Sequence, residues 1–386
     1  MRVLISGGGT GGHIYPALAV ATQLHKEYQA DILYLGSDDG LETRVVPAAG
    51  LCLEVIRAGK LQRFVSWKTL SGIARVPVGI AQAIGIVRRF HPDVAFTSGG
   101  YVSVPTGLAA YLNAVPLLMH QQDVPPNLSN RLLTPLATRI SVAFADSLRY
   151  FPMQKTIQLG NPLRQVILDV QQTAPQQARI HLGFDAALPL LLVTGGSQGA
   201  RHLNQVTCQA LPQLLTFCQV LQISGSKLFD ETNAQAAHML IGIDEGTKRR
   251  YRLVPYMDAE MPLALQAATL VVCRSGASTL SELAVLGKPS ILVPLPPSLG
   301  SSPQEVNAAM FEREQAAEVI LNAHMRPEVL LNRAESIISS SVCLQQMTEA
   351  VSHLAKPQAT RDIVETIVQL AKKPVVKTTN SEGVCI

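Results

Sequence analysis

The sequence predicts an α/β protein built from two doubly wound parallel sheets in tandem. Three observations predict it. Short apolar runs alternate with helical stretches along most of the chain. Two of those runs, Val3-Leu4-Ile5 and Leu190-Leu191-Leu192-Val193-Thr194, each lead into a glycine turn that opens a helix. The chain has 386 residues, 47% hydrophobic and 16% charged, enough apolar material for two packed cores.

The elements follow in order. After Val3-Leu4-Ile5 comes Gly7-Gly8-Gly9-Thr10-Gly11-Gly12, then apolar residues at helical spacing: Ala17, Leu18, Val20, Ala21 and Leu24. A second strand, Ile32-Leu33-Tyr34-Leu35, stops at Gly36. A third, Val94-Ala95-Phe96-Thr97, stops at Gly99-Gly100 and precedes a helix near Pro105 to Tyr111. Pro116-Leu117-Leu118-Met119 reads as a further buried strand. The pattern restarts at Leu190, whose strand enters Gly195-Gly196-Ser197-Gln198-Gly199. Strands near Val220-Ser224, Tyr251-Val254, Leu270-Cys273 and Ser290-Val293 complete the second copy. This is a duplication of fold type without a sequence repeat. The boundary is expected near Gly160-Asn161-Pro162. A last helix near Thr360 to Lys372 lies beyond the second sheet, and the tail after it reads as disordered.

Composition excludes several classes. A net charge of +4 and 5% aromatics argue against nucleic-acid binding. Six cysteines at 52, 208, 218, 273, 343 and 385 lack zinc or redox spacing and read mainly as small core hydrophobes. The chain shows no signal peptide and no apolar run of membrane-spanning length, so the expectation is a cytoplasmic protein with peripheral attachment. Between residues 55 and 92 there is no acid but there are seven basic residues, interleaved with Phe64, Val65, Trp67, Leu70, Ile73, Val76, Val78 and Ile80. That suits an anionic membrane surface, and equally an amphipathic helix with a solvated basic face.

The glycine turns carry the chemistry. A parallel strand that ends in glycines and opens a helix makes an anion site, because free N–H groups and the helix dipole converge there. No acid closes the second strand at Leu35-Gly36-Ser37, which disfavours a nicotinamide enzyme. Tight strand-to-helix packing alone explains one such loop less easily when two occur in paired domains. His13, just after the first loop, has the pKa range of a base for a sugar hydroxyl, or is a capping residue. Arg274-Ser275-Gly276-Ala277-Ser278-Thr279-Leu280-Ser281-Glu282 is a third strand-to-helix junction. Glu282 can accept hydrogen bonds from ribose hydroxyls, or simply complement the helix dipole. No Asp-x-Asp triplet occurs, so a metal-bridged diphosphate is not expected.

Together these residues resemble the MurG family of glycosyltransferases, from residue 2 to about residue 370. The resemblance rests on Gly8-Gly9-Thr10-Gly11-Gly12-His13, Gly99-Gly100-Tyr101-Val102-Ser103, Gly160-Asn161-Pro162-Leu163-Arg164, Gly195-Gly196-Ser197-Gln198-Gly199-Ala200-Arg201, the Arg274 to Glu282 junction, and Gln304 with Asn307-Ala308. It implies a GT-B fold, two Rossmann-like domains facing across a cleft. Residues 1–160 and a helix at about 355–372 would form the acceptor and membrane half, residues 161–354 the UDP-sugar half, and 373–386 a tail. The implied reaction is inverting transfer of N-acetylglucosamine from UDP-N-acetylglucosamine to undecaprenyl-diphosphate-linked muramoyl-pentapeptide, in peptidoglycan synthesis. No cofactor, metal or nucleic acid is implied. The implied setting is the cytoplasmic face of the membrane, with other wall-synthesis proteins left open as partners.

By the same resemblance, Ser197 and its loop would hold the donor diphosphate and Met257 would meet the uracil. Ala277, Ser278, Thr279, Leu280, Ser281 and Glu282 would take phosphate and ribose, Gln304 the sugar, and Arg164 would lie near the donor. Thr10, Gly11 and Gly12 would face the cleft. Gly9, Thr10, Gly11, Gly12, Gly99, Gly100 and Tyr101 would receive the acceptor diphosphate. His13 would be the leading base for the acceptor 4-hydroxyl.

Two departures stand out. Where the family reads His-Glu-Gln-Asn, this chain has His120-Gln121-Gln122-Asp123, followed by Val124-Pro125-Pro126. Gln121 is no base, and Asp123 either replaces the missing carboxylate or contacts the donor sugar. The stretch at 296–303 is richer in Pro, Ser and Gly than the family's. Alternatives are a transferase of this fold with another lipid or natural-product acceptor, a UDP-sugar epimerase, and an inactive scaffold in a wall-synthesis complex.

Overall fold

A computed structural model describes residues 1–9, 11–58, 67–296 and 304–372, the stretch 67–76 by its backbone alone. Thr10, much of the basic and apolar stretch, the 297–303 loop and the expected tail lie outside the described residues. Thirteen strands form two all-parallel sheets among them. In the first are β1 (Arg2–Ser6), β2 (Asp31–Ser37), β3 (Cys52–Ile56), β4 (Val94–Thr97), β5 (Leu117–Gln121), β6 (Arg139–Val142) and β7 (Thr156–Gln158), in the order β3-β2-β1-β4-β5-β6-β7. In the second are β8 (Leu190–Thr194), β9 (Gln219–Ile223), β10 (Tyr251–Val254), β11 (Leu270–Cys273), β12 (Ser290–Leu292) and β13 (Glu318–Val319), in the order β10-β9-β8-β11-β12-β13. In both, strand order reverses beside the first strand, at β1/β4 and β8/β11. Ligands of doubly wound sheets bind at such switch points.

Parallel pairing follows from strands that are apolar on both faces. Leu4 faces one core and Val3 and Ile5 the opposite one, all wholly buried. β8 does the same, with Leu190 and Leu192 on one side and Leu191 and Val193 on the other. Helices cover all four faces. One of the cores on the second sheet takes in Val124, Ala143 and Phe144 from the first half, so apolar packing runs between the halves.

The last helix, Ala359–Lys372, returns to the first sheet. Its buried face, Ile363, Val364, Ile367 and Val368, packs with Val20, Leu24 and Phe96. Thr360 clips it to the connecting segment: its hydroxyl donates to Leu163 O and accepts from Leu163 N–H, both at 3.0 Å. Four strands, β3, β6, β7 and β13, have no counterpart in the sequence expectations. They run two to five residues, and only β6 is buried along most of its length. Such strands are recruited by the sheet beside them rather than by their own apolar pattern.

Truncating Ile367 to alanine would leave a cavity beneath this helix. A loss of about 2–5 kcal/mol is expected, read as a lower urea midpoint with the slope unchanged. An unaltered midpoint would mean that the helix contributes nothing to the first core.

Candidate functional site

The carboxyl ends of β1, β5 and β11 approach one another, and the glycine turns after β1 and β4 pack together there. β1 leads through Gly7-Gly8-Gly9 into the helix Gly11–Tyr28, and His13 is its third residue. β4 leads into Gly99-Gly100-Tyr101. Both Gly99 and Gly100 have positive φ, +100° and +88°. Only glycine fits at 100, because a Cβ there would strike Gly8 O. The two turns therefore pack backbone against backbone, and Gly8 N–H points at Gly99 O at 3.4 Å.

His13 is partly buried against this junction. Its Nδ1 lies 3.0 Å from Ser98 O, which places the proton on Nδ1 and leaves Nε2 as the basic nitrogen. Burial lowers its pKa below the usual histidine value, while the Asp123 charge and the Ser98 hydrogen bond oppose that shift. A neutral imidazole at physiological pH results. Gln122 shares the same anchor, donating from Nε2 to Ser98 O at 2.9 Å.

The 120–126 segment, which begins at the end of β5, accounts for the unusual residues there. His120 is wholly buried, with its ring nitrogens on Ser141 Oγ at 2.9 Å and Asn161 Oδ1 at 3.1 Å. Burial pushes its pKa down to about 4, so it does not compete as a base. Gln121 is buried too. It donates to Asp123 O (2.7 Å) and Pro125 O (3.2 Å) and accepts from Asn130 Nδ2 (2.8 Å). Gln121 is thus a brace for the turn that presents Asp123. The Asp123 carboxylate accepts from Asn307 Nδ2 at 2.8 Å, and Asn307 Oδ1 accepts from Val124 N–H at 2.9 Å. Asn307 also donates to Ser275 O (3.1 Å), so one buried amide ties the first half to the Ser275 turn of the second.

That turn follows β11 and opens the helix Ala277–Leu286, which Gly287 ends in the left-handed conformation at φ +61°. Leu280 N–H is bonded to Gly276 O, and its side chain lies in the core, so Leu280 supports the site from behind. Ala277, Ser278 and Thr279 keep their N–H groups at the helix start. Ser278 Oγ donates to Gly12 O at 3.4 Å, closing the gap between the halves. Arg274 turns away from the cleft to Val293 O, Pro294 O and Asn322 Oδ1.

Glu282 lies one turn inside this helix. Desolvation raises its pKa to about 7 against the opposing charge of Arg164. Arg164 sits over the Tyr15 ring at 5.0 Å and pairs with Asp258 at 3.4 Å. Tyr15 is hydrogen-bonded to Tyr256, and its pKa is raised to about 12, first by burial. Met257, between Tyr256 and Asp258, packs on the second core. Ser197 is exposed in the turn after β8. Gln304 begins the helix Gln304–Arg313, and its Oε1 accepts from Leu295 N–H at 2.9 Å.

The fold thus gathers His13, Asp123, Gly99, Gly100, Tyr101, Ser278 and Glu282 along one cleft, with Arg164 beside Glu282. Sequence reasoning missed Tyr15, Tyr256, Asp258 and the bridging role of Asn307. The spacing of Tyr15 and Tyr256 in the chain gives no sign that they meet.

Two family models match the chain: the glycosyltransferase family 28 N-terminal domain over residues 3–142 and its C-terminal domain over residues 190–367. Curated relatives extend the match to nearly full length. The UDP-N-acetylglucosamine--N-acetylmuramyl-(pentapeptide) pyrophosphoryl-undecaprenol N-acetylglucosamine transferase of Desulforudis audaxviator is 40% identical, covering 97% of this chain and 99% of its own. The enzyme of the same name from Caldanaerobacter subterraneus is 36% identical over 95% and 99%. The crystal structure of MurG from Acinetobacter baumannii superposes with a TM-score of 0.72 at 26% identity, over 95% and 99% of the two chains.

Replacing Asp123 with asparagine removes the charge that raises the His13 pKa. The imidazole should then titrate at lower pH, followed by NMR of the His13 ring. A titration at unchanged or higher pH would disconnect the two residues.

Proposed function

The chain belongs to glycosyltransferase family 28, and from that premise we propose that it transfers N-acetylglucosamine from UDP-N-acetylglucosamine to undecaprenyl-diphosphate-linked muramoyl-pentapeptide, with inversion at the anomeric carbon. One juxtaposition carries the assignment of roles. The turn that holds His13 touches the start of the Ala277–Leu286 helix through Ser278 and Gly12. A neutral base and an anion-binding helix terminus therefore face one cleft.

In this reading residues 161–354 bind the donor. The N–H groups of Ala277, Ser278 and Thr279 and the Ser197 turn take its diphosphate, neutralising charge that builds on the leaving UDP. Glu282 accepts from the ribose hydroxyls, Met257 meets the uracil, and Gln304 the sugar. Arg164 holds the mouth of the site beside Glu282 and Asp258. Residues 1–160 and the last helix take the acceptor, with its diphosphate in the Gly9 to Gly12 and Gly99 to Tyr101 turns. His13 Nε2 removes the proton from the acceptor 4-hydroxyl as oxygen attacks the face opposite UDP. Asp123 stabilises the imidazolium that forms, and Asn307 holds that carboxylate in place.

The acceptor places the enzyme at a membrane surface as a peripheral protein, and we assign it to the cytoplasmic face, where nucleotide sugars are held. No helix among the described residues is long and apolar enough to cross a bilayer. Tyr111 and Leu112, on the helix Ser103–Leu112, are exposed, as are Leu128 and Leu132 on Leu128–Leu133 beside it. With exposed Arg131 and the basic helix Trp67–Phe90 packed alongside, they form an apolar face with cationic flanks.

The test is transfer of radiolabelled sugar to the lipid-linked acceptor. His13→Ala is expected to lower kcat by at least about 10²-fold with UDP affinity retained. Turnover at the unsubstituted rate would remove His13 from the reaction. Donor binding reports on Glu282 separately. UDP-N-acetylglucosamine affinity should rise with pH through about 7, as the carboxyl ionises. Glu282→Gln should bind more weakly and without that dependence, measured by calorimetry. A pH dependence that survives the substitution would assign it to another group.

A further inference from the structure

One buried carboxylate near the cleft has no part in the reaction as assigned. Glu42 opens the helix Glu42–Ala48 after β2 and is wholly buried. Three glycines make room for its carboxyl group: a Cβ on Gly8, Gly36 or Gly40 would collide with the Glu42 side chain. Its Oε1 accepts from Ser37 N–H at 2.9 Å and from Ser37 Oγ at 2.8 Å. Its Oε2 has no hydrogen-bond partner among the described residues. A carboxylate held so far from water, with no cation paired to it by a described salt bridge, is costly unless its bonds serve something else.

Those bonds lead to the glycine turns. Ser37 Oγ lies 2.7 Å from Tyr101 OH, which also reaches Asp39 Oδ1 at 3.2 Å. With the Ser37 hydroxyl proton given to Glu42, the single Tyr101 hydroxyl proton is shared between Ser37 Oγ and the Asp39 carboxylate. The Tyr101 ring then lies against Gly9, where a Cβ would come within 2.9 Å of Cε1. From the same strand as Ser37, Tyr34 OH donates to Gly7 O at 2.6 Å. The end of β2 thus grips both turns from behind, one through Tyr34 and the other through Glu42, Ser37 and Tyr101.

We propose that Glu42 and Ser37 are positioning residues for the acceptor: they fix Tyr101 over Gly9, and so set the spacing of the two turns that receive the acceptor's diphosphate. Neither residue reaches the cleft, so both act through Tyr101. This rests on the assignment of the diphosphate to those turns.

The full chain is assayed with donor and lipid-linked acceptor varied in turn, and with farnesyl diphosphate as a soluble isoprenyl-diphosphate probe. Ser37→Ala and Glu42→Ala are expected to raise the acceptor KM and the farnesyl diphosphate inhibition constant about tenfold, the loss of a hydrogen bond to a charged group. The donor KM should stay within about twofold. Glu42→Gln keeps the accepting oxygen and should restore acceptor affinity. Equal rises in both KM values, or an unchanged acceptor KM in Ser37→Ala, overturn the proposal. Inhibition of the unsubstituted enzyme that is not competitive with the acceptor overturns the diphosphate assignment itself. Competitive inhibition that Ser37→Ala leaves as strong as before overturns only the role of Glu42 and Ser37.

Discussion

Two parallel sheets, each covered by helices on both faces, can offer ligands only their carboxyl edges. Everywhere else the backbone N–H and C=O groups are spent in ladders, and the side chains are spent in cores. At those edges each strand must turn into a helix, and the turn leaves N–H groups without partners. The glycine turns after β1, β4 and β8 and the helix start at Ala277 all follow from this constraint. It also explains why the site lies between the halves. Each sheet has one such edge, and the cleft is where the two edges meet.

The electrostatics follow from closing that cleft. Burial keeps His13 neutral and brings Glu282 to about 7, while His120, deeper, is held neutral down to about 4. The two imidazoles thus stay neutral while the carboxyl titrates near neutrality, decided by desolvation and by the charge nearest each. Asp123 serves His13 and Arg164 serves Glu282. Asn307 connects the two sets, because its amide bonds the Asp123 turn and the Ser275 turn at once. The same helix adds Phe311 edge-on to Phe144 and Arg313 to Asp146, so the element that begins with Gln304 also docks the halves together.

The fold was legible because long apolar runs and glycine turns report local constraints. β1, β2, β4, β5 and β8 could be placed that way, and so could the three junctions that carry the site. β7 and β13 could not, since two or three residues hold no period. His13 and Glu282 were legible as candidates from their place beside strand-to-helix turns, but their alternative roles as caps or dipole partners were equally consistent with the chain. The His120-Gln121-Gln122-Asp123 segment read as a loss of a carboxylate. In the structure Gln121 needs both a donor and an acceptor to brace the turn, which an ionised carboxylate cannot supply.

The sequence by itself determined the two-sheet architecture, the glycine turns at the strand ends and the family, because strand period, glycine placement and motif order are properties of neighbours along the chain. Only the tertiary structure decided which residues meet across the cleft. Tyr15 with Tyr256, Asp123 with Asn307, and Glu42 with Tyr101 by way of Ser37 are separated by tens to hundreds of residues. Their contacts depend on how two sheets pack, and so do the desolvation and charge that give each group its protonation state. No local pattern encodes those distances, since burial is a property of the assembled cores rather than of any segment within them.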